Sequence, residues 1–363
     1  MGVRAPRRCD TFVGMMRPPS LARTLVLVLA ASSLTAPTAT TAEGTLVVLN
    51  KAEATASLVD LETGAVFATL PTGNAPHEAA VSPDGRLALA TNYGTGEAPG
   101  SSLTVIDVAG ARVVKTIDLG AGRRPHGVLF QDAHRALVTA EGSKALLVVD
   151  VEKGTVLSTI ETGQEISHMV AATPDGGRAF VANIGSGTVT AVDLAEGRVL
   201  AQIPTGKGAE GIAVRPDGSE VWVANRGADT VSVVDPVALK VVADMKAASF
   251  PIRVAFSPDG RRAFVSCARS GDVAVFDAEE RRETGRLRAS LEPKAGATNL
   301  LGLAGGVPVG IVVEPSGERA FVAHTNADVV AIFDLARGTP AGTLTAGREP
   351  DGMALSPVAA RKQ

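Results

Sequence analysis

The chain has 363 residues, of which 3% are aromatic, with one Trp and one Tyr; 35 Lys and Arg stand against 38 Asp and Glu, a formal net charge of −3. Val, Ala, Leu and Gly dominate, so the core is expected to be built from small and branched side chains. This balance argues against a general nucleic-acid binder, whose affinity comes from clustered Lys and Arg.

The first 42 residues stand apart from the rest. Arg4, Arg7, Arg8, Arg17 and Arg23 precede an apolar run from Leu25 to Ala31, and small residues follow as far as Ala42. A basic region, a short apolar region and a small-residue exit in that order predict a secretory signal peptide, cleaved near Ala42, with Met15 or Met16 as an alternative start. The apolar run is short and broken by Ser32, Ser33 and Pro37, so a permanent membrane span is not expected there or elsewhere. Loss of this leader removes five Arg and Asp10, leaving 30 basic and 37 acidic residues, a net of −7. The mature chain is expected in the periplasm or secreted from a bacterial cell. Cys9 leaves with the leader, so Cys267 has no partner for an internal disulfide and is either buried and inert or a ligand.

From residue 43 onward the chain repeats. Leu46 to Asn50, Ala56 to Asp60 and Ala65 to Leu70 are three short β-like runs. The clearest full unit follows later. His168 to Ala172 is a strand, Thr173-Pro174-Asp175-Gly176 a turn, Arg178 to Asn183 and Thr188 to Asp193 two further strands, and Val199 to Pro204 a fourth. Aligning such units places His77, His126, His168, Glu210, Ile252, Val309 and Asp351 at one position, with steps of 49, 42, 42, 42, 57 and 42 residues. A period near 42 with four short strands is that of a propeller blade. The expected fold is all-β, a seven-bladed β-propeller over 43–363 with four antiparallel strands per blade. Asp351 to Ser356 supplies the strand missing from the N-terminal unit, so both termini close the ring and remove its open edges.

Val-Ala-Asn and Val-Asp elements flanking Pro-Asp-Gly turns, as at Val181-Ala182-Asn183 and Val223-Ala224-Asn225, resemble the YVTN-type β-propeller repeat family over nearly all of the mature chain. The tetrapeptide itself is absent, Leu89-Ala90-Thr91-Asn92 being nearest. The resemblance implies a propeller related to d1-haem domains and to seven-bladed lactonases, and it is nearly silent on activity. Similar propellers hold copper through histidines, as in nitrous-oxide reductase, or haem d1 over the channel. A lactonase-like sugar enzyme is expected to be intracellular, against which the leader argues.

Departures from the repeat fall on one face of the disc. The step of 49 adds residues in Gly94 to Ser102, after the second strand, and the step of 57 adds them in Leu291 to Gly306, before the first strand of the next unit. His77, His126 and His168 open first strands and His324 ends a second strand, so four of the five histidines share that face, whereas His134 lies in a turn on the other. Asp351, His77, His126, His168 and Glu210 then occupy five consecutive blades, an imidazole and carboxylate set suited to Zn, Cu or Fe. A second ring, at the ends of second strands, reads Asn50, Asn92, Glu141, Asn183, Asn225, Cys267 and His324. Cys267 and His324 are candidate metal ligands there, although a small buried thiol more often packs, and the Asn residues are expected to bond backbone.

The sequence therefore predicts an exported binding protein that holds a small ligand, a metal or a partner protein at the channel mouth, through His77, His126, His168, Glu210, Asp351 and Arg253. The alternative is a periplasmic metalloenzyme or haem-d1-handling protein on the same ring. No catalytic residue is assignable, and three ring histidines are too few for a large copper cluster. Arg123, Arg124, Arg226, Arg253 and Arg269 form the one candidate basic patch for nucleic acid, better read as solvated loop charges. Gly206-Lys207-Gly208-Ala209-Glu210-Gly211 matches a dinucleotide-binding pattern but joins two strands with no helix behind it, so the phosphate cradle is missing.

Overall fold

Each repeat folds as a four-stranded antiparallel sheet because short apolar runs alternate with turns that local side chains hold. In the computed structural model, which describes residues 43–294 and 306–359 together with Gly2 and Gly14, the unit read most clearly from sequence forms Ser167–Ala172, Arg178–Asn183, Thr188–Asp193 and Arg198–Pro204. Its first turn closes with Gly176 at φ 68° and the Gly176 N–H donating to Thr173 O at 2.9 Å. Asp175 Oδ1 accepts the Gly177 N–H at 3.0 Å, and Asp193 Oδ1 accepts two N–H groups in the hairpin that follows. The leader expected over 1–42 and most of the insertion at 291–306 lie outside the described residues.

Seven such sheets are present among the described residues. Blades 1 to 6 begin with the inner strands Pro76–Val81, Pro125–Phe130, Ser167–Ala172, Ala209–Val214, Pro251–Phe256 and Pro308–Val313. Blade 7 pairs the C-terminal Pro350–Ser356 with the N-terminal Thr45–Asn50, followed by Thr55–Asp60 and Val66–Pro71. The expected closure by both termini is thus the observed one, with Thr45 opposite Ser356 and Val48 opposite Met353.

Apolar burial lies mainly between adjacent blades. Trp222 of blade 4 packs edge-on against Phe276 of blade 5, with Val231, Ala263 and Val265 around them. Second and third strands are the most buried, whereas outer strands alternate toward solvent, as in Thr155–Glu161. Such thin walls of Val, Ala and Leu explain why a chain with so few aromatic residues can fill its core.

Near the axis the inner strands nearly touch. A Cβ on Gly211 would lie 2.6 Å from Arg253 Cα and Ile252 O, and one on Gly352 would lie 2.3 Å from His77 O. Hydroxyls staple neighbouring blades at this level: Thr91 Oγ1 accepts the Glu78 N–H at 3.0 Å and donates to His126 O of the next blade at 2.9 Å. Thr139 repeats the motif with the Gly127 N–H and His168 O. Each inner strand also breaks register with its neighbour close to its start, for example between Pro76 and Ala79 and between Pro251 and Arg253. These irregularities re-aim the residues that follow the opening Pro, Ser or Ala.

Candidate functional site

The residues next to these breaks converge on a funnel of about 990 Å³ at one end of the channel. Its lining includes all seven aligned first-strand positions, His77, His126, His168, Glu210, Ile252, Val309 and Asp351. Thr95 and Gly96 reach it from the insertion in blade 1, which extends the second and third strands into the longer hairpin Leu87–Gly94 and Pro99–Asp107. Val307, which follows the second insertion, lines it too. The expectation of a shared face therefore holds for the first insertion and for His77, His126 and His168.

Three imidazoles stand side by side on the funnel wall. Ring centroids of His77 and His126 are 4.7 Å apart, and those of His126 and His168 are 3.6 Å apart. His77 Nδ1 lies 3.0 Å from Asp351 Oδ2, which also faces Lys51 Nζ at 3.5 Å. His168 bonds the Glu141 carboxylate through Nδ1, and its Nε2 lies 3.6 Å from Glu210 Oε1. Tyr93 Oη donates to the other Glu141 oxygen at 2.6 Å, and Arg124 stacks over the Tyr93 ring at 5.1 Å.

These contacts set protonation. Burial by itself would lower His168, but the two carboxylates outweigh it and hold its pKa above the usual histidine range. Burial lowers His126 well below that range, and the neighbouring His168 charge adds to the effect. Burial opposes ionisation of Glu141 and Glu210 as well, yet the bonded His168 keeps both lowered. Asp351 is likewise held low against its burial, by Lys51 and His77. Burial and Glu141 push Tyr93 up to about 12, so its hydroxyl remains a donor.

Sequence reasoning missed Glu78. Its Oε1 accepts from Arg253 Nε at 3.0 Å and Nη2 at 2.5 Å, and Arg253 Nη1 lies 3.4 Å from Glu210 Oε1. A signal was available, since the residue after the aligned first-strand position is Gly127, Gly211, Gly310 and Gly352 in four blades and Met169 in a fifth, but Glu78 and Arg253 in the other two. Arg253 is 7% exposed and ion-paired, which corrects its reading as a solvated loop charge of a basic patch. Arg226 pairs with Glu210 at 2.8 Å and sits with Arg269 over the Phe250 ring, so these charges too are engaged.

The second ring needs a one-residue correction. Pro125 pairs with Ala140, as Pro76 pairs with Asn92 and Ser167 with Asn183, so Glu141 lies one position beyond the Asn ring. The funnel is lined from that next position, by Lys51, Tyr93, Glu141, Ile184, Arg226 and Thr325. The Asn ring points into the blades: Asn50 Nδ2 donates to Thr55 and Ser57 hydroxyls, and its Oδ1 accepts the Gly347 N–H. Cys267 is fully buried in the core between blades 4 and 5, with its pKa pushed up to about 12 by burial. His324, lowered by burial to about 4, faces Gly306 and lies outside the funnel lining. The structure thus brings His77, His126, His168, Glu210, Asp351 and Arg253 together and leaves Cys267 and His324 apart from them.

A seven-bladed propeller with a funnel over its channel that carries paired acidic and basic side chains is the class that fold and site define. Residues 50–301 match the family described as Lactonase, 7-bladed beta-propeller, and the chain belongs to that family. No curated protein matches it in sequence. Among solved structures it is similar to hydrazine synthase of Kuenenia stuttgartiensis, with TM-score 0.65 and 19% identity, covering 76% of this chain and 88% of that one. It is also similar to a functionally unknown protein from Desulfotomaculum acetoxidans DSM 771, with TM-score 0.72 and 15% identity, covering 86% and 99%. At these identities the likeness concerns the fold. Among the described residues no helix is long and apolar enough to cross a membrane.

Proposed function

We propose that the protein is an exported propeller that binds a small, hydroxyl-rich molecule in the funnel. The observation that carries this reading is the composition of the funnel floor. Three carboxylates, Glu141, Glu210 and Asp351, interleave with Arg253, Arg226, Lys51 and a cationic His168, and Glu78 pairs with Arg253 just beneath. Donors and acceptors lie side by side there with little net charge, which suits the paired donor and acceptor character of hydroxyl groups, and the volume fits a small organic ligand. Export rests on the basic, apolar and small-residue order of residues 1–42. Calorimetry of chelator-treated protein against sugars, sugar acids and their lactones tests the reading. Binding should vanish in the triple variant His77→Ala, His126→Ala, His168→Ala; unchanged binding in that variant would place the site elsewhere.

Family membership and one further observation favour a second reading, hydrolysis of a lactone. Neutral His126 lies beside cationic His168 on the same wall, a base next to an acid. A water would lose a proton to His126 as its oxygen bonds to the carbonyl carbon. The ring C–O bond would then break, and the leaving oxygen would take the His168 proton. Acid release from lactones in a pH-stat, abolished by His126→Gln, is the expected result.

A further inference from the structure

We propose that His126, Glu141 and His168 form a binding site for a divalent transition-metal ion on the funnel wall. The inference deepens the reading of the funnel as the functional site and rests on it. One ligand atom from each of the three side chains lies within 4.8 Å of the others, close enough to share an ion. His126 is 3% and His168 7% exposed, so the site is built into the wall.

Two observations point to a missing occupant. His126 Nδ1 is buried with no hydrogen-bond partner among the described residues, whereas buried polar atoms are normally satisfied. His168 Nδ1 and the Glu141 carboxylate, both good ligands, also face each other directly across the same wall. An ion seated between them would use both and have the His126 imidazole beside it.

The surroundings have the form of an outer shell. Glu210 faces His168 Nε2 at 3.6 Å, the carboxylate–imidazole arrangement that orients a ligating histidine. Tyr93 donates to the Glu141 oxygen that His168 does not bond, fixing the carboxylate. Two imidazoles and one carboxylate favour zinc or a neighbouring first-row ion over calcium or magnesium, and three protein ligands leave a position open toward the funnel. A ligand hydroxyl or carbonyl could take that position.

The test titrates chelator-treated full-length protein with Co²⁺, followed by its visible d–d bands, and with Zn²⁺ by calorimetry. One equivalent with new bands is expected. His126→Ala and Glu141→Gln should abolish them, and Tyr93→Phe should weaken binding about tenfold. His134→Ala, at an exposed histidine outside the funnel, should leave binding unchanged. Circular dichroism checks folding; Tyr93→Phe removes a single hydroxyl and keeps the test decisive if the other variants fail to fold. Absence of bands, or equal binding in His126→Ala and wild type, would overturn the proposal. Ligand binding by the metal-free protein judges the funnel reading separately, so either can fail alone.

Discussion

The Glu78 carboxylate and the Arg253 guanidinium, 175 residues apart in the chain, meet beneath the funnel through two N–H donors on one oxygen. Arg253 also faces Glu210 and, at 4.0 Å, Asp351, so it is the cation around which three acids gather. Replacing it leaves those acids buried beside one another. Arg253→Met is expected to lower unfolding free energy by about 3–5 kcal/mol, and Glu78→Gln by less, because Arg253 keeps two other partners. Urea unfolding of both variants and of the double variant measures this; a double variant whose loss equals the sum of the two single losses would show that the pair is not coupled.

Two neighbouring histidines should give stability opposite pH dependences. The folded pKa of His168 is raised, so its contribution is full below its unfolded value near 6.5 and is lost as pH rises through the folded pKa. The folded pKa of His126 is lowered, so the unfolded chain binds the extra proton and stability falls as pH drops below about 6.5. In metal-free protein, His168→Gln should flatten the alkaline limb of the stability profile and His126→Gln the acid limb. Denaturant midpoints across pH 5–9 check the assignment.

Packing at the axis predicts which glycines are replaceable. Gly211→Ala puts a methyl 2.6 Å from backbone of the next blade and should cost about 1–3 kcal/mol. Gly285→Ala meets nothing within 4 Å and should be close to neutral. Thermal unfolding of the two variants separates them.

Ring closure predicts the effect of truncation. Ending the chain at Glu349 removes the partner of Thr45–Asn50 and uncovers a long apolar strand edge. The truncated protein should lose its single cooperative transition and elute as larger species in size-exclusion chromatography, whereas removal of residues 360–363 alone should change neither.

The repeat and the turns that punctuate it were legible because they depend on neighbours in sequence. Alternation of apolar side chains, Gly176 at positive φ and Asp175 capping its own turn all act within a few residues, so blade number, strand spans and closure by both termini followed from pattern alone. The ring position of His77, His126, His168, Glu210 and Asp351 followed too, because a constant period maps sequence steps onto steps around a circle.

What the repeat could not supply was the aim of each side chain. The register break at the start of each inner strand, and the one-residue offset that puts Ala140 rather than Glu141 opposite Pro125, decide which residues reach the funnel, and neither alters the period. Arg253 looked like a surface charge until closure of the ring set it against Glu78 on the far side of the channel. Sequence determined the disc and the face that carries the polar residues, since both arise from local chemistry repeated seven times. Only the tertiary structure decided the pairings His77–Asp351, His168–Glu141 and Glu78–Arg253, because these depend on how closely inner strands approach an axis that no single blade contains.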